Sequence, residues 1–245
     1  MTRGRRIAAA LTMAILTQGS FVAAVGSMVL ALANGLQIGR GRLHGGEALL
    51  ANLLLVLQFP VVHSFLLSDR GRSVLRRLSP VGHGRRLVVS TYALTASWQL
   101  LATFWLWSPT GTVWYAPHGA LGVAAWSMFA GAWLYLGKAL ADAGLSLQSG
   151  AAGWWALLRD RPVAYGGLPT GGLFRYCRQP IYLGFAMVLW TAPVKTPDWL
   201  LLTAAWTVYC VAAPRLKEAR WERHFGDAFR TYRATVPYLL PRFRR

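Results

Sequence analysis

The sequence predicts an all-α protein: a polytopic transmembrane helical bundle of about five or six helices, the last two a short hairpin, followed by a C-terminal amphipathic cytoplasmic helix. Three observations predict it. The 245 residues are 55% hydrophobic but only 14% charged, with a mean hydropathy of +0.36, whereas soluble domains carry about 25% charged residues. Six apolar stretches recur, at 7–34, 48–67, 87–107, 117–141, 180–194 and 197–213. Twelve tryptophans fit the bilayer interface, which indole rings favour. The same figures exclude an ordinary cytosolic globule, a disordered chain, a collagen and a disulfide scaffold.

The first stretch follows Arg3, Arg5 and Arg6 and ends in Ala31-Leu32-Ala33, which looks like a cleavage site. Its apolar run is far longer than the core of a secretory signal, about 7–15 residues, so it reads as a transmembrane helix. The next three stretches are each long enough to span. The last two are short, and Pro193 and Pro197 break the chain between them. They read as a tight hairpin that need not cross the bilayer fully.

Charge sets the orientation. Lys and Arg number 26 against 8 Asp and Glu, a net +18. Positive charge alternates from loop to loop. The loop from 68 to 86 holds six arginines, the loop from 108 to 116 has no charge, and the segment from Arg215 holds nine basic residues, Arg242, Arg244 and Arg245 among them. The positive-inside rule then puts both termini in the cytoplasm, as in a bacterial-type inner membrane. The excess charge forms a collar facing anionic lipid headgroups, and no separate soluble domain is left to bind nucleic acid. Cys177 and Cys210 read as reduced packing residues, and His44, His83, His118 and His224 show no ligand spacing, so no metal is expected. The chain reads as one integral-membrane domain, 1–245. N-terminal transmembrane helices fill 1–142, and a cytoplasmic loop, the hairpin and the C-terminal helix fill 143–245.

Two segments carry chemistry. From Leu216 a helical pattern runs through Glu218, Trp221, Glu222, Phe225, Phe229 and Tyr232, which share one stripe at 100° per residue, with Arg220, Arg223, Asp227 and Arg230 opposite. Glu218 sits within that apolar stripe. A carboxylate there is costly unless paired or hydrogen-bonded, which marks it as a site candidate. Upstream, Arg178-Gln179-Pro180-Ile181-Tyr182-Leu183-Gly184 opens the fifth stretch. Pro180 suits a first helical position, so Arg178 and the helix N-terminus form a corner suited to an anion at the cytoplasmic face. The glycine-rich 143–179 loop reads as a linker or as a loop closing over a cytosolic ligand.

Arg178-x-Pro180-x-Tyr182-x-Gly184, an apolar hairpin, then Glu218, Phe225-Gly226, Tyr232 and Val236-Pro237 together resemble the integral-membrane methyltransferases. The best known are the isoprenylcysteine carboxyl methyltransferases. The likeness is closer to the bacterial methanethiol S-methyltransferase branch, through Gln58, His63-Ser64, Ser90-Thr91-Tyr92, Phe104 to Trp107 and Phe185 to Pro193. It covers about 50–245 and is strongest over 171–241. It implies S-adenosylmethionine in a cytosolic pocket and an acceptor, a small thiol or an isoprenoid-type molecule, reached from the bilayer. By the motif, Phe174, Gln179, Pro180, Ile181, Tyr182, Lys217 and Glu218 would line the cofactor site, with Gly166, Gly167, Leu168 and Pro169 covering it.

The cofactor's chemistry suggests the roles. Arg178 suits its carboxylate, Glu218 its ammonium, and Tyr182 or Trp221 its sulfonium or adenine face. His63, near the end of its helix, could serve as a base. Two positions depart from the family pattern: Gln179 stands for a histidine, and Lys217 for the first of two glutamates. A lysine repels both cations of the cofactor. An alternative follows, in which Lys217, Arg175, Arg178 and Arg215 cradle an isoprenoid diphosphate or an anionic lipid without S-adenosylmethionine. Lys217→Glu should keep or raise activity on the first reading and abolish it on the second.

Overall fold

The computed structural model describes residues 2–80 and 82–241. Arg242, Arg244 and Arg245 of the C-terminal basic segment lie outside them. Among the described residues the regular structure is helical, apart from one antiparallel bridge between Tyr115 and Lys195. The chain forms two compact units interleaved in sequence. One comprises Met1–Ala31, Leu36–Thr110 and Leu145–Tyr165, the other Leu32–Gly35, Gly111–Gly144 and Gly166–Arg245.

The first unit holds most of α1 (Arg3–Ala33), then α2 (Gly45–Leu66), α3 (Asp69–Leu78), α4 (Gly84–Trp105), α6 (Leu145–Gln148) and α7 (Ala151–Leu158). Helix α4 packs against α2, α3 and α7. Polar pairs join the apolar helices α2 and α4: Gln58 Nε2 donates to Thr103 Oγ1 at 2.9 Å, and Gln99 Nε2 donates to Gln58 Oε1 at 2.8 Å. In hydrocarbon these amides have no water to turn to, so pairing across helices satisfies them. The segment read as a long glycine-rich loop contains two short α-helices, α6 and α7. Ser90 Oγ on α4 donates to Gly150 O at 2.7 Å and accepts from Trp154 N at 2.9 Å, which holds the start of α7. The eight-residue apolar run of α7 is too short to stand out from its glycines by periodicity.

The second unit holds α5 (Gly119–Asp142), a single 3-10 turn (Gly172–Arg175), α8 (Pro180–Thr191), α9 (Pro197–Phe225) and α10 (Asp227–Thr235). Among the described residues five helices, α1, α2, α4, α5 and α9, are long and apolar enough to cross a membrane, and α8 is a shorter apolar helix. The hairpin is therefore unequal. Helix α9 runs 29 residues, straight through Pro214, and absorbs the first half of the predicted C-terminal amphipathic helix. The chain breaks at Gly226, whose φ of 54° and ψ of −123° lie in a region only glycine enters at low cost. The remainder becomes α10. The amphipathic pattern is thus shared between two helices, because the stripe read from Leu216 onward continues the buried face of α9.

Helices α5 and α8 pack against each other. A Cβ at Gly184 would lie 3.0 Å from Leu136 Cα and 3.1 Å from Tyr135 Cδ1. Gly184→Leu is expected to force the helices apart, costing about 1–3 kcal/mol by overpacking. A thermal scan in detergent should show a lowered midpoint, and an unchanged midpoint would mean that α8 tilts freely.

Candidate functional site

Four side chains from two segments meet in the second unit. Arg178 precedes α8 and is 8% exposed, and Glu218 on α9 is 9% exposed. Arg178 Nε donates to Glu218 Oε1 at 2.8 Å and Nη2 to Glu218 Oε2 at 3.2 Å, a bidentate fork. Its third nitrogen, Nη1, donates to the carbonyls of Arg233 at 3.0 Å and Val236 at 2.6 Å. The Arg178 backbone N–H donates to Pro237 O at 2.9 Å. One guanidinium therefore ties α8, α9 and the chain end after α10 together.

Gln179 is fully buried. Its Nε2 donates to Glu218 Oε1 at 2.7 Å, and its Oε1 accepts from Lys217 Nζ at 3.1 Å. The two departures from the family pattern are thus one coupled feature. The amide turns an acceptor to the lysine and a donor to the glutamate, which a single neutral group can do at both ends. The Lys217 ammonium faces rings, 4.2 Å from the Trp221 centroid, 5.6 Å from Phe174 and 5.7 Å from Tyr182. Helical spacing explains the pairing with Trp221, since residues i and i+4 share a face.

The turn carrying Phe174 is held from both sides. Asp142, at the end of α5 and paired with Lys138, accepts from Leu173 N at 2.9 Å, and Tyr232 Oη donates to Phe174 O at 2.7 Å. The backbone partner of Asp142 lies 31 residues away along the chain. A lone acid at a helix end carries no signal of such a cap. Burial pushes the Tyr232 phenol up, so it stays a neutral donor. Burial also raises the Cys177 thiol, so it remains protonated and weakly nucleophilic at neutral pH.

Two expectations change. Arg178 is turned away from water, because Glu218 and two carbonyls already take its donors. Pro180 and Gln179 are also buried, so the start of α8 does not present an open anion corner to solvent. The cradle expected for a diphosphate finds no support either: Arg178 is taken up by Glu218 and two carbonyls, and Lys217 by Gln179 and the rings. An open groove of about 570 Å³ adjoins the Arg178 end of the cluster, with Arg175, Arg233 and Tyr238 along it.

The remaining candidates fall as follows. Tyr182 packs edge-on to Tyr209 at 6.4 Å, and Ile181 beside it is half-buried. Gly166, Gly167, Leu168 and Pro169 lie in a non-helical stretch, the two glycines exposed. His63 belongs to the first unit, where Tyr92 Oη and His63 Nε2 share a hydrogen bond at 2.6 Å and Phe59 stacks at 4.8 Å. That unit also contains a cavity of about 810 Å³ among Arg3, Arg6, Arg76 and Arg86. Its described lining is mainly arginine, with His83 and Asp160 beside them.

Comparison with known proteins finds several relatives. The chain is 33% identical over 205 residues to methanethiol S-methyltransferase 2 of Bradyrhizobium diazoefficiens, covering 80% of this chain and 74% of the relative. It is 30% identical over 204 residues to methanethiol S-methyltransferase of Mycobacterium tuberculosis, covering 80% and 79%. It is 31% identical over 202 residues to the enzyme of the same name from Pseudomonas deceptionensis, covering 81% and 74%. No family model matches, and no solved structure matches. These relatives are named for a thiol acceptor, and they lend no support to an isoprenoid diphosphate or lipid ligand.

Proposed function

Because the chain belongs to the methanethiol S-methyltransferase family, we propose that this membrane enzyme transfers a methyl group from S-adenosylmethionine to methanethiol or a similarly small thiol. The observation that carries the reading is the buried cluster of Arg178, Gln179, Lys217 and Glu218 beside the rings of Phe174, Tyr182 and Trp221. The donor set fits the cofactor in two respects. Ring faces attract a sulfonium, and Glu218 Oε2 accepts only one bond, so a lone pair remains for an ammonium. When bound, S-adenosylmethionine supplies an activated methyl on a positively charged sulfur.

The protein's part is to bind, orient and exclude water. Held by Glu218 and the rings, the cofactor would supply its methyl to the thiol sulfur and leave as a neutral thioether, keeping the electron pair of the broken bond. The thiol proton is released to solvent. Such a displacement needs in-line placement more than acid–base help. Arg178 serves as the positioning residue: it fixes Glu218 and holds the chain end at Val236. Glu218 and the rings would hold the cofactor. In this reading the whole chain works as one membrane domain with the site in 143–245, both termini in the cytoplasm of a bacterial-type inner membrane. The acceptor enters from the lipid.

The test is direct. Purified protein in detergent should convert methanethiol and methyl-labelled S-adenosylmethionine to labelled dimethyl sulfide. Folded protein that binds neither S-adenosylmethionine nor S-adenosylhomocysteine would overturn the reading.

A further inference from the structure

The end of the Lys217 side chain lies in a box of aromatic rings drawn from three elements. Phe174 comes from the 3-10 turn, Tyr182 from α8 and Trp221 from α9. All three centroids lie within 4.2–5.7 Å of Nζ, inside the roughly 6 Å reach of a cation–π contact. Phe174 is fully buried, and its turn is anchored by Asp142 and Tyr232, so that wall is rigid. The hydrogen-bond partner of the ammonium is the Gln179 amide oxygen, a neutral group. Cages of this kind recognise methylated onium ions, which carry their charge on a weakly hydrated apolar shell. A lysine ammonium is more strongly hydrated and gains less from the same box.

We propose that Phe174, Tyr182 and Trp221 form a binding cage for a methylated onium group, and that Lys217 is its built-in occupant, a tethered cation that an incoming sulfonium must displace. The identity of the natural onium rests on the S-adenosylmethionine reading, while the cage itself does not. One consequence is selectivity between the two cofactor forms. Two unit charges about 6 Å apart at an effective dielectric near 20 repel by on the order of a hundredfold in affinity. S-adenosylhomocysteine has no sulfonium and escapes that penalty. The wild-type protein therefore favours the demethylated product over the methyl donor, and Lys217 makes turnover sensitive to product.

Equilibrium binding to detergent-purified wild type, Lys217→Met and Lys217→Arg tests this, with three probes: S-adenosylmethionine, S-adenosylhomocysteine and trimethylsulfonium. Lys217→Met should tighten S-adenosylmethionine by about 10- to 100-fold and change S-adenosylhomocysteine by less than about threefold. Lys217→Arg keeps a cation in the box and should behave as wild type, which separates charge from packing. Trimethylsulfonium should bind Lys217→Met, and this binding should vanish when Trp221→Leu is added. If Lys217→Met shifts both cofactor forms alike, or trimethylsulfonium ignores it, the cage is overturned while the methyl donor stands. If trimethylsulfonium enters Lys217→Met but neither cofactor form binds any variant, the cage stands and the donor assignment falls. A Lys217→Met protein that does not fold leaves the decision to Lys217→Arg and Trp221→Leu. Trp221→Leu should then weaken S-adenosylmethionine more than S-adenosylhomocysteine, and equal weakening overturns the cage.

Discussion

Glu218→Leu is expected to abolish cofactor binding and to cost about 3–5 kcal/mol of stability, the usual range for breaking a buried ion pair from one side. The side chains of Arg178 and Glu218 are only 10% and 11% exposed. Removing the carboxylate leaves a guanidinium with two carbonyl partners and no counter-charge. Against a typical total of about 5–15 kcal/mol, that loss is large, and it falls on the contact that ties α9 to the chain end. A thermal scan alone would not tell a catalytic role from a structural one. The double variant Arg178→Met with Glu218→Leu makes the distinction. Replacing both charges with apolar groups is often neutral or stabilising, so the double variant should regain part of the lost midpoint, short of the whole because the Arg233 and Val236 carbonyls and the Gln179 amide lose their partners. It should not regain binding of S-adenosylmethionine. Recovery of both would reduce the pair to a structural strut and remove Glu218 from the site.

The second large effect concerns Lys217→Glu. From sequence alone this change should keep or raise methyl transfer, since it restores the family's paired glutamates. The structure reverses that expectation for the single variant. Gln179 Nε2 is committed to Glu218 and its Oε1 to Lys217. A glutamate at 217 would face the amide oxygen, acceptor against acceptor, beside a second carboxylate and among ring faces of negative potential. Leaving such groups unsatisfied costs about 1–3 kcal/mol. Lys217→Glu alone should therefore lower both the melting midpoint and the methyl-transfer rate. Adding Gln179→His supplies an imidazole that can donate to both carboxylates as a cation. The double variant should recover stability and bind S-adenosylmethionine at least as tightly as wild type. If the single variant is already as stable and active as the double, positions 179 and 217 are independent and the bridging role of Gln179 is wrong.

Several elements were legible from composition and pattern. A spanning helix needs about 20 apolar residues because hydrocarbon offers no hydrogen-bond partners, so α1, α2, α4 and α5 could be read within a few residues of their ends. Pro180 marked the start of α8 for a local reason, its missing N–H. Glu218 was visible as a misfit, a carboxylate in an apolar stripe. The join between α9 and the amphipathic stripe was not legible, because Pro214 reads as a stop and only the packed partners beyond it keep the helix going. Helix α7 was hidden among glycines.

What the sequence determined by itself was therefore the membrane class, the first four long apolar helices and the identity of the residues whose placement would be costly without partners. These follow from transfer energies and from spacing along the chain. Tertiary structure alone decided who those partners are. Arg178 meets Glu218 across 40 residues, Lys217 reaches Gln179 across 38, and Asp142 caps a turn 31 residues away. No periodic pattern encodes such pairings. They depend on α8 and α9 packing side by side, and on hydrogen-bonding directions that leave the Gln179 amide one donor for the acid and one acceptor for the base.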